Sequence, residues 1–273
     1  MNRKSWIIAI VMVSVAGAIG AGVFQLTRTK RPSTDLLIVS PHPDDAVLCC
    51  SGLIQQLHEE GKRVYIATVT DGDGYTAAGA LLFHKPESIL TSRDMQTLGA
   101  IRRKEDKTAL AILGVEDRDM TSLGYPDGVL PEVYSAVENP ARSPYTGLDH
   151  VKDAPSKTYT KINLKKDIES LLMQTRPRMV AFPGQTDTAE DHQVVGKIVT
   201  EALTSLHLSP KLLSYATHIA TQSGSKPADE TVITLSSEHI QKKIQAIDAY
   251  ETQIAVDGTF LHSFATEQEV FNP

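Results

Sequence analysis

Leu36-Leu37-Ile38-Val39 is apolar at every position. A strand with one wet face alternates apolar and polar side chains, so an unbroken run reads as a strand buried on both faces. Such a strand needs helices above and below it, and the rest of the chain supplies them. Val47, Cys50, Leu53, Ile54 and Leu57 recur at helical spacing, and Gly61 stands where a C-terminal cap belongs. Apolar runs predict further strands at 64–69, 117–123, 179–182, 212–219 and 231–235. Helical periods fall at 93–113, 162–174, 191–206 and 236–254. Alternation of this kind implies right-handed crossovers, hence an α/β fold with a mostly parallel sheet and helices on both faces. The polar, proline-containing stretch 125–159 is longer than a connection requires and reads as the rim or lid of a site.

Composition narrows what such a fold does. The chain has 273 residues, 41% of them hydrophobic and 22% charged, which excludes a wholly disordered polymer. Lys+Arg number 27 against 33 Asp+Glu, a net charge of −6 that gives no electrostatic attraction to nucleic acid, and no nucleic-acid partner is expected. The only cysteines, Cys49 and Cys50, are adjacent, which excludes a disulfide scaffold and a cysteine-based zinc site. On the first helix they read as small buried hydrophobes. Any metal must be held by histidine and carboxylate.

Residues 1–34 are of another kind. Arg3 and Lys4 precede an uncharged run from Ser5 to Thr27, closed by Arg28, Lys30 and Arg31 and followed by the linker Pro32-Ser33-Thr34. The run is long enough to span a bilayer as a helix, and Ala16-Gly17-Ala18 also matches a signal-peptide cleavage site. Apolar residues continue through Val23, Phe24 and Leu26, which favours an uncleaved anchor. The expectation is a single domain, 35–273, held at the membrane by this segment on the extracytoplasmic side, or secreted if the segment is cleaved.

In open parallel sheets, ligands bind beyond the carboxyl ends of the strands. After the first strand comes Ser40-Pro41-His42-Pro43-Asp44-Asp45, after the second Thr70-Asp71-Gly72-Asp73-Gly74, and after the strand ending at Phe182 comes Asp187 to His192. His42 and Asp45 are spaced to face one ion from a turn that two prolines stiffen. His192, at the opening of a distant helix, is the candidate third ligand, which leaves a position for water as catalytic zinc sites do. Asp191 beside it is a candidate to orient its ring. Asp44 diverges from Asp45 and is free to take a proton from water. Taken alone, Asp44 and Asp45 also suit helix N-capping.

These residues resemble the PIG-L/LmbE-like de-N-acetylases. The resemblance spans nearly all of 35–273. Besides His42-Pro43-Asp44-Asp45 it includes Val69 to Gly74, Arg102-Arg103-Lys104-Glu105, Leu123 to Gly128, Glu190-Asp191-His192 and the closing segment Lys243 to Gln253. It implies a Rossmann-like fold, one zinc ion (another divalent metal being possible) on His42, Asp45 and His192, Asp44 as general base, and removal of acetyl groups from N-acetylated sugars. Two positions depart from the pattern: Ala46 stands where the family has Glu, and Ala189 where it has the first histidine of His-x-Asp-His. Both lie outside the implied ligand set. Asp187, Glu190, His218 and His262 are the candidates to compensate, and the sequence does not choose among them. The departures keep open a sugar-binding protein that has lost turnover; an amidase for a non-sugar N-acyl group is a further alternative.

Arg102 reads either as half of a solvated pair with Glu105 or as a substrate-binding arginine. Asp127 is turn chemistry or, by its family position, the rim of a sugar pocket. Asp73 and Asp191 complete the candidate substrate-binding set. His58, His84, His150, His207 and His239 read as surface, and His218 as either core or pocket.

Overall fold

The computed structural model describes residues 34–218 and 229–273. From β1 (Leu36–Ser40) the chain passes through α1 (Asp45–Glu59) to β2 (Val64–Thr70), then through α2 (Thr76–Phe83) and α3 (Ser92–Ile112) to β3 (Met120–Tyr125). The short α4 (Leu130–Ser135) and the antiparallel pair β4 (His150–Val151) and β5 (Ala154–Thr158) precede α5 (Lys161–Thr175), β6 (Met179–Pro183), α6 (Glu190–Ser205) and β7 (Lys211–Tyr215). Then come β8 (Thr231–Thr234), α7 (Ser237–Asp248), α8 (Glu251–His262) and β9 (Gln268–Phe271). Thr34–Pro273 forms one unit, beginning a residue before the expected boundary because Thr34 is hydrogen-bonded to the main chain of Thr175 and Arg178.

The central sheet has five parallel strands in the order β3-β2-β1-β6-β7. β1 lies in the middle, and its side chains alternate between two cores. Leu36 and Ile38 pack with α1, α3 and α7, while Leu37 and Val39 pack with α5 and α6. All four are fully buried, and each such burial contributes about 1.5–3 kcal/mol. The strand that delivers His42 is therefore held from both sides.

Five expectations need correction. The 231–235 segment does not join the parallel sheet; β8 pairs antiparallel with β9 in a separate two-stranded sheet. Val232 on it is exposed, which a core strand would not allow. The helix expected over 236–254 breaks between α7 and α8, where Tyr250 leaves helical geometry, is fully buried and gives its hydroxyl to Asp106 at 2.9 Å. The stretch 125–159 carries α4 and a hairpin and is not a bare loop, and the strand expected over 212–219 ends at Tyr215. His239 is buried and faces Glu59 at 2.9 Å, so it is not a surface residue.

Glu269 ties the chain end to α1. Its carboxylate accepts from Lys243 Nζ at 2.9 Å and from the main-chain N–H groups of Gly52 (2.8 Å) and Leu53 (3.1 Å). A Cβ at position 52 would lie 2.6 Å from Leu235, so glycine is needed for the approach. Cys49 and Cys50 are buried and free, as expected. The apolar run 5–27 lies outside the described residues; among those described, no helix is long and apolar enough to cross a membrane.

Candidate metal centre and active site

The strand order reverses between β1 and β6: the chain builds outward through β2 and β3 on one side, then returns to β6 and β7 on the other. The carboxyl ends of neighbouring strands diverge at such a point and open a crevice. His42, Asp44 and Asp45 follow β1, and Asp187, Asp191 and His192 follow β6. The topology thus brings together residues 150 positions apart in sequence.

Three ligand atoms converge there. His42 Nδ1 lies 3.1 Å from His192 Nε2 and 3.3 Å from Asp45 Oδ2, and His192 Nε2 lies 3.4 Å from the same oxygen. A tetrahedral ion with ligands at about 2.0–2.1 Å sets those ligand atoms about 3.3–3.4 Å apart, so the triangle fits one divalent cation with a fourth position left over. The far nitrogen of each ring faces carboxylates. His192 Nδ1 is 2.9 Å from Asp187 Oδ2, and His42 Nε2 is 3.1 Å from Asp127 Oδ1 and 3.3 Å from Asp191 Oδ2. Carboxylates in these positions fix the tautomer and aim the opposite nitrogen into the triangle.

Asp187, and not Asp191, is therefore the partner of His192. Asp191 turns the other way, accepting from the main-chain N–H groups of Gly128 (2.7 Å) and Leu130 (3.0 Å) besides facing His42. Asp187 is itself fixed by the N–H (2.8 Å) and hydroxyl (3.1 Å) of Thr217 and the N–H of Ala189 (3.0 Å). Of the four candidates to compensate for the departures at Ala46 and Ala189, Glu190 is exposed at the start of α6 and His262 pairs with Asp248. Asp187 and His218 are at the site.

Asp44 precedes α1 but its side chain caps nothing, so the capping reading fails for it. Its Oδ2 accepts from the Gln253 amide and lies 3.6 Å from Arg102. Burial, followed by the charge of Asp45, pushes the Asp44 carboxyl up to about 6, against the opposing pull of Arg102, His42 and His192. Burial also works against a charged Asp45, but His192 and His42 outweigh it and lower its pKa. For His42 the balance is similar: burial disfavours the cation, and Asp127, Asp191 and Asp45 together raise the ring well above its usual value. Carboxylates thus outnumber cationic groups around the triangle, an environment suited to a bound cation.

Arg102 is buried, gives NH1 to Gly72 O at 2.8 Å and faces Asp127 at 3.5 Å. It makes no pair with Glu105, whose carboxylate accepts from the N–H (2.8 Å) and hydroxyl (2.6 Å) of Thr252. Asp127 accepts from Gly74 N–H at 3.1 Å and donates its own N–H to Asp73 at 3.0 Å, which places Asp73 behind Asp127. Burial raises Asp73 to about 7. Thr217 carried no sequence signal as a site residue, and Gln253 was visible only as part of the closing segment. His218, just beyond β7, is exposed, edge-on to His192 at 5.4 Å between ring centres and stacked on Phe260 at 5.7 Å and 15°.

Two histidines and an aspartate converge at the reversal point of an open parallel sheet, with Asp44 alongside, and form a candidate centre for a divalent metal. The chain belongs to the PIG-L family, whose model, described as GlcNAc-PI de-N-acetylase, matches residues 37–203. The enzyme is accordingly a deacetylase, a hydrolase acting on amides. It is 27% identical over 228 residues to a probable N-acetyl-alpha-D-glucosaminyl L-malate deacetylase 2 of Bacillus anthracis, covering 83% of this chain and 84% of that protein. Among solved structures it resembles the N,N'-diacetylchitobiose deacetylase of Pyrococcus horikoshii, with a TM-score of 0.55 and 20% identity over 90% of this chain and 86% of that one. It also resembles GalB, a 4-carboxy-2-hydroxymuconate hydratase of Pseudomonas putida KT2440, with a TM-score of 0.57 and 18% identity over 85% and 82%. The hydratase shows that this fold by itself does not dictate one reaction.

Proposed function

We propose that the protein removes the acetyl group from the nitrogen of an N-acetylated amino sugar. The observation that carries this reading is the triangle of His42 Nδ1, Asp45 Oδ2 and His192 Nε2 with the carboxylate of Asp44 beside it. Two imidazoles and a carboxylate at this spacing suit zinc, which when bound polarises an amide carbonyl and makes water more acidic. Asp44 takes a proton from the attacking water as the water oxygen bonds to the acetyl carbon. It returns that proton to nitrogen as the C–N bond breaks, leaving acetate and the free amine. The Gln253 amide and Arg102 hold Asp44 for this work, and Asp187 and Asp127 hold the two histidines.

Of the residues expected to bind substrate, Arg102 and Asp127 face each other at 3.5 Å beside Asp44 and His42. Asp73 and Asp191 support this pair through the main chain of Asp127, Gly128 and Leu130. The sugar class is supported by the named activities of the Bacillus and Pyrococcus relatives. The apolar run 5–27 supports residence at the membrane, or secretion after cleavage.

The test is metal analysis joined to acetate release from N-acetylglucosamine, N,N'-diacetylchitobiose and N-acetylglucosaminyl malate. Release dependent on stoichiometric zinc is expected. Bound zinc with no release from any N-acetyl sugar overturns the reading in favour of a binding protein.

A further inference from the structure

We propose that His218 is a catalytic residue of the amide hydrolysis, donating a ring N–H to the acetyl oxygen as that oxygen becomes an anion. The assignment rests on the deacetylase reading above. When the water oxygen bonds to the acetyl carbon, the π pair of the C=O bond moves onto oxygen. A donor already aimed at that oxygen lowers the barrier most.

The side-chain donors around the triangle are otherwise engaged, save Arg102 Nε, which is buried and without a partner. His42 and His192 each direct one nitrogen inward and the other onto carboxylate. Arg102 is bound to Gly72 O and faces Asp127 and Asp44. Thr217 gives both its N–H and its hydroxyl to Asp187, and the Gln253 amide is on Asp44. The His218 imidazole makes no hydrogen bond among the described residues, although its ring stands against a metal-ligand candidate. Stacking on Phe260 fixes the plane of the ring.

The main chain supports the same assignment. Thr188 gives its N–H (2.8 Å) and its hydroxyl (3.0 Å) to His218 O, so the end of β7 lies against the turn that leads into Ala189. Ala189 has no polar side chain at the place where the resembling sequences carry a histidine. The imidazole missing from the start of α6 is thus offered from the adjacent strand end.

The test compares wild type, His218→Ala, His218→Gln and the double variant His218→Ala/Ala189→His, all zinc-loaded, on N,N'-diacetylchitobiose. His218→Ala is expected to lose about 10²–10³ in kcat, the size of effect seen when one oxyanion donor is removed, with KM, zinc content and Tm unchanged. His218→Gln keeps a donor and recovers part of the rate, and restoring histidine at 189 recovers part of it in the double variant. A structural role alone predicts neither recovery. Calorimetry with methylphosphonate, a tetrahedral anion, reads the same donor without turnover, and about tenfold weaker binding to His218→Ala is expected. Wild-type kcat in His218→Ala, or equal methylphosphonate affinity in both proteins, overturns the assignment. Absence of turnover in the wild type with a tenfold affinity difference would sink the deacetylase reading and leave the donor role of His218 standing.

Discussion

Asp187 Oδ2 lies 2.9 Å from Nδ1 of His192, five residues further along the same strand-to-helix connection. The contact fixes which nitrogen of His192 points into the triangle with His42 and Asp45. Asp187→Asn keeps the shape but removes the charge that holds the ring. Metal affinity should fall about 10–100-fold, as for other partners of metal-ligating histidines, with the fold retained. Competition with a chromogenic chelator measures it; unchanged affinity would mean that His192 is oriented by something else.

His192 is completely buried, and its loss removes one corner of the triangle. His192→Ala should fold with reduced stability and bind no stoichiometric zinc. Full zinc occupancy in the purified variant would remove His192 from the ligand set.

Asp44→Asn preserves size and the contact with Gln253 but cannot accept a proton. Turnover should fall by about 10²–10⁴ while zinc content stays at the wild-type level. Wild-type rates in this variant would place the base elsewhere.

Asp106 sits away from the triangle, accepting from the Tyr250 hydroxyl and the Thr68 hydroxyl, both at 2.9 Å, and burial pushes its carboxyl up to about 7. The unfolded chain releases this proton near pH 4, so between about pH 4 and 7 the folded state holds a proton that the unfolded state has lost. This group's contribution to stability is therefore greatest at low pH and declines as pH rises through 7. Asp106→Asn removes that dependence and should be more stable than wild type at pH 8 by on the order of 1–2 kcal/mol, with a smaller difference at pH 5. Urea titrations at the two pH values decide it; a variant less stable at pH 8 would show that the ionised carboxylate is well accommodated.

Thr34 is buried and hydrogen-bonded to the main chain, so removal of residues 1–33 should leave a folded, active domain that no longer sediments with membranes. Continued sedimentation would assign membrane attachment to the domain. A mature N-terminus near Ile19 in the full-length protein would show cleavage instead.

The sequence by itself determined the doubly buried central strand and the cluster of candidate ligands that follows it. Leu36 to Val39 is apolar at every position, which only a doubly covered strand accommodates, and the turn after it holds His42, Asp44 and Asp45 within four residues, where local geometry governs. What spacing cannot carry was decided by the tertiary structure. Asp187 and Asp191 lie four residues apart, and nothing local tells which faces His192; the answer depends on Thr217 at the end of β7 and on the main chain of Gly128 and Leu130. Gln253 reaches Asp44 across 209 residues because Tyr250 turns into the core and breaks the final helix. Likewise, β8 leaves the parallel sheet because β9, the last strand of the chain, supplies its antiparallel partner. Burial and strand order, which are sums over distant parts of the chain, settle these points, whereas periodicity and turn chemistry read only what lies within a few residues.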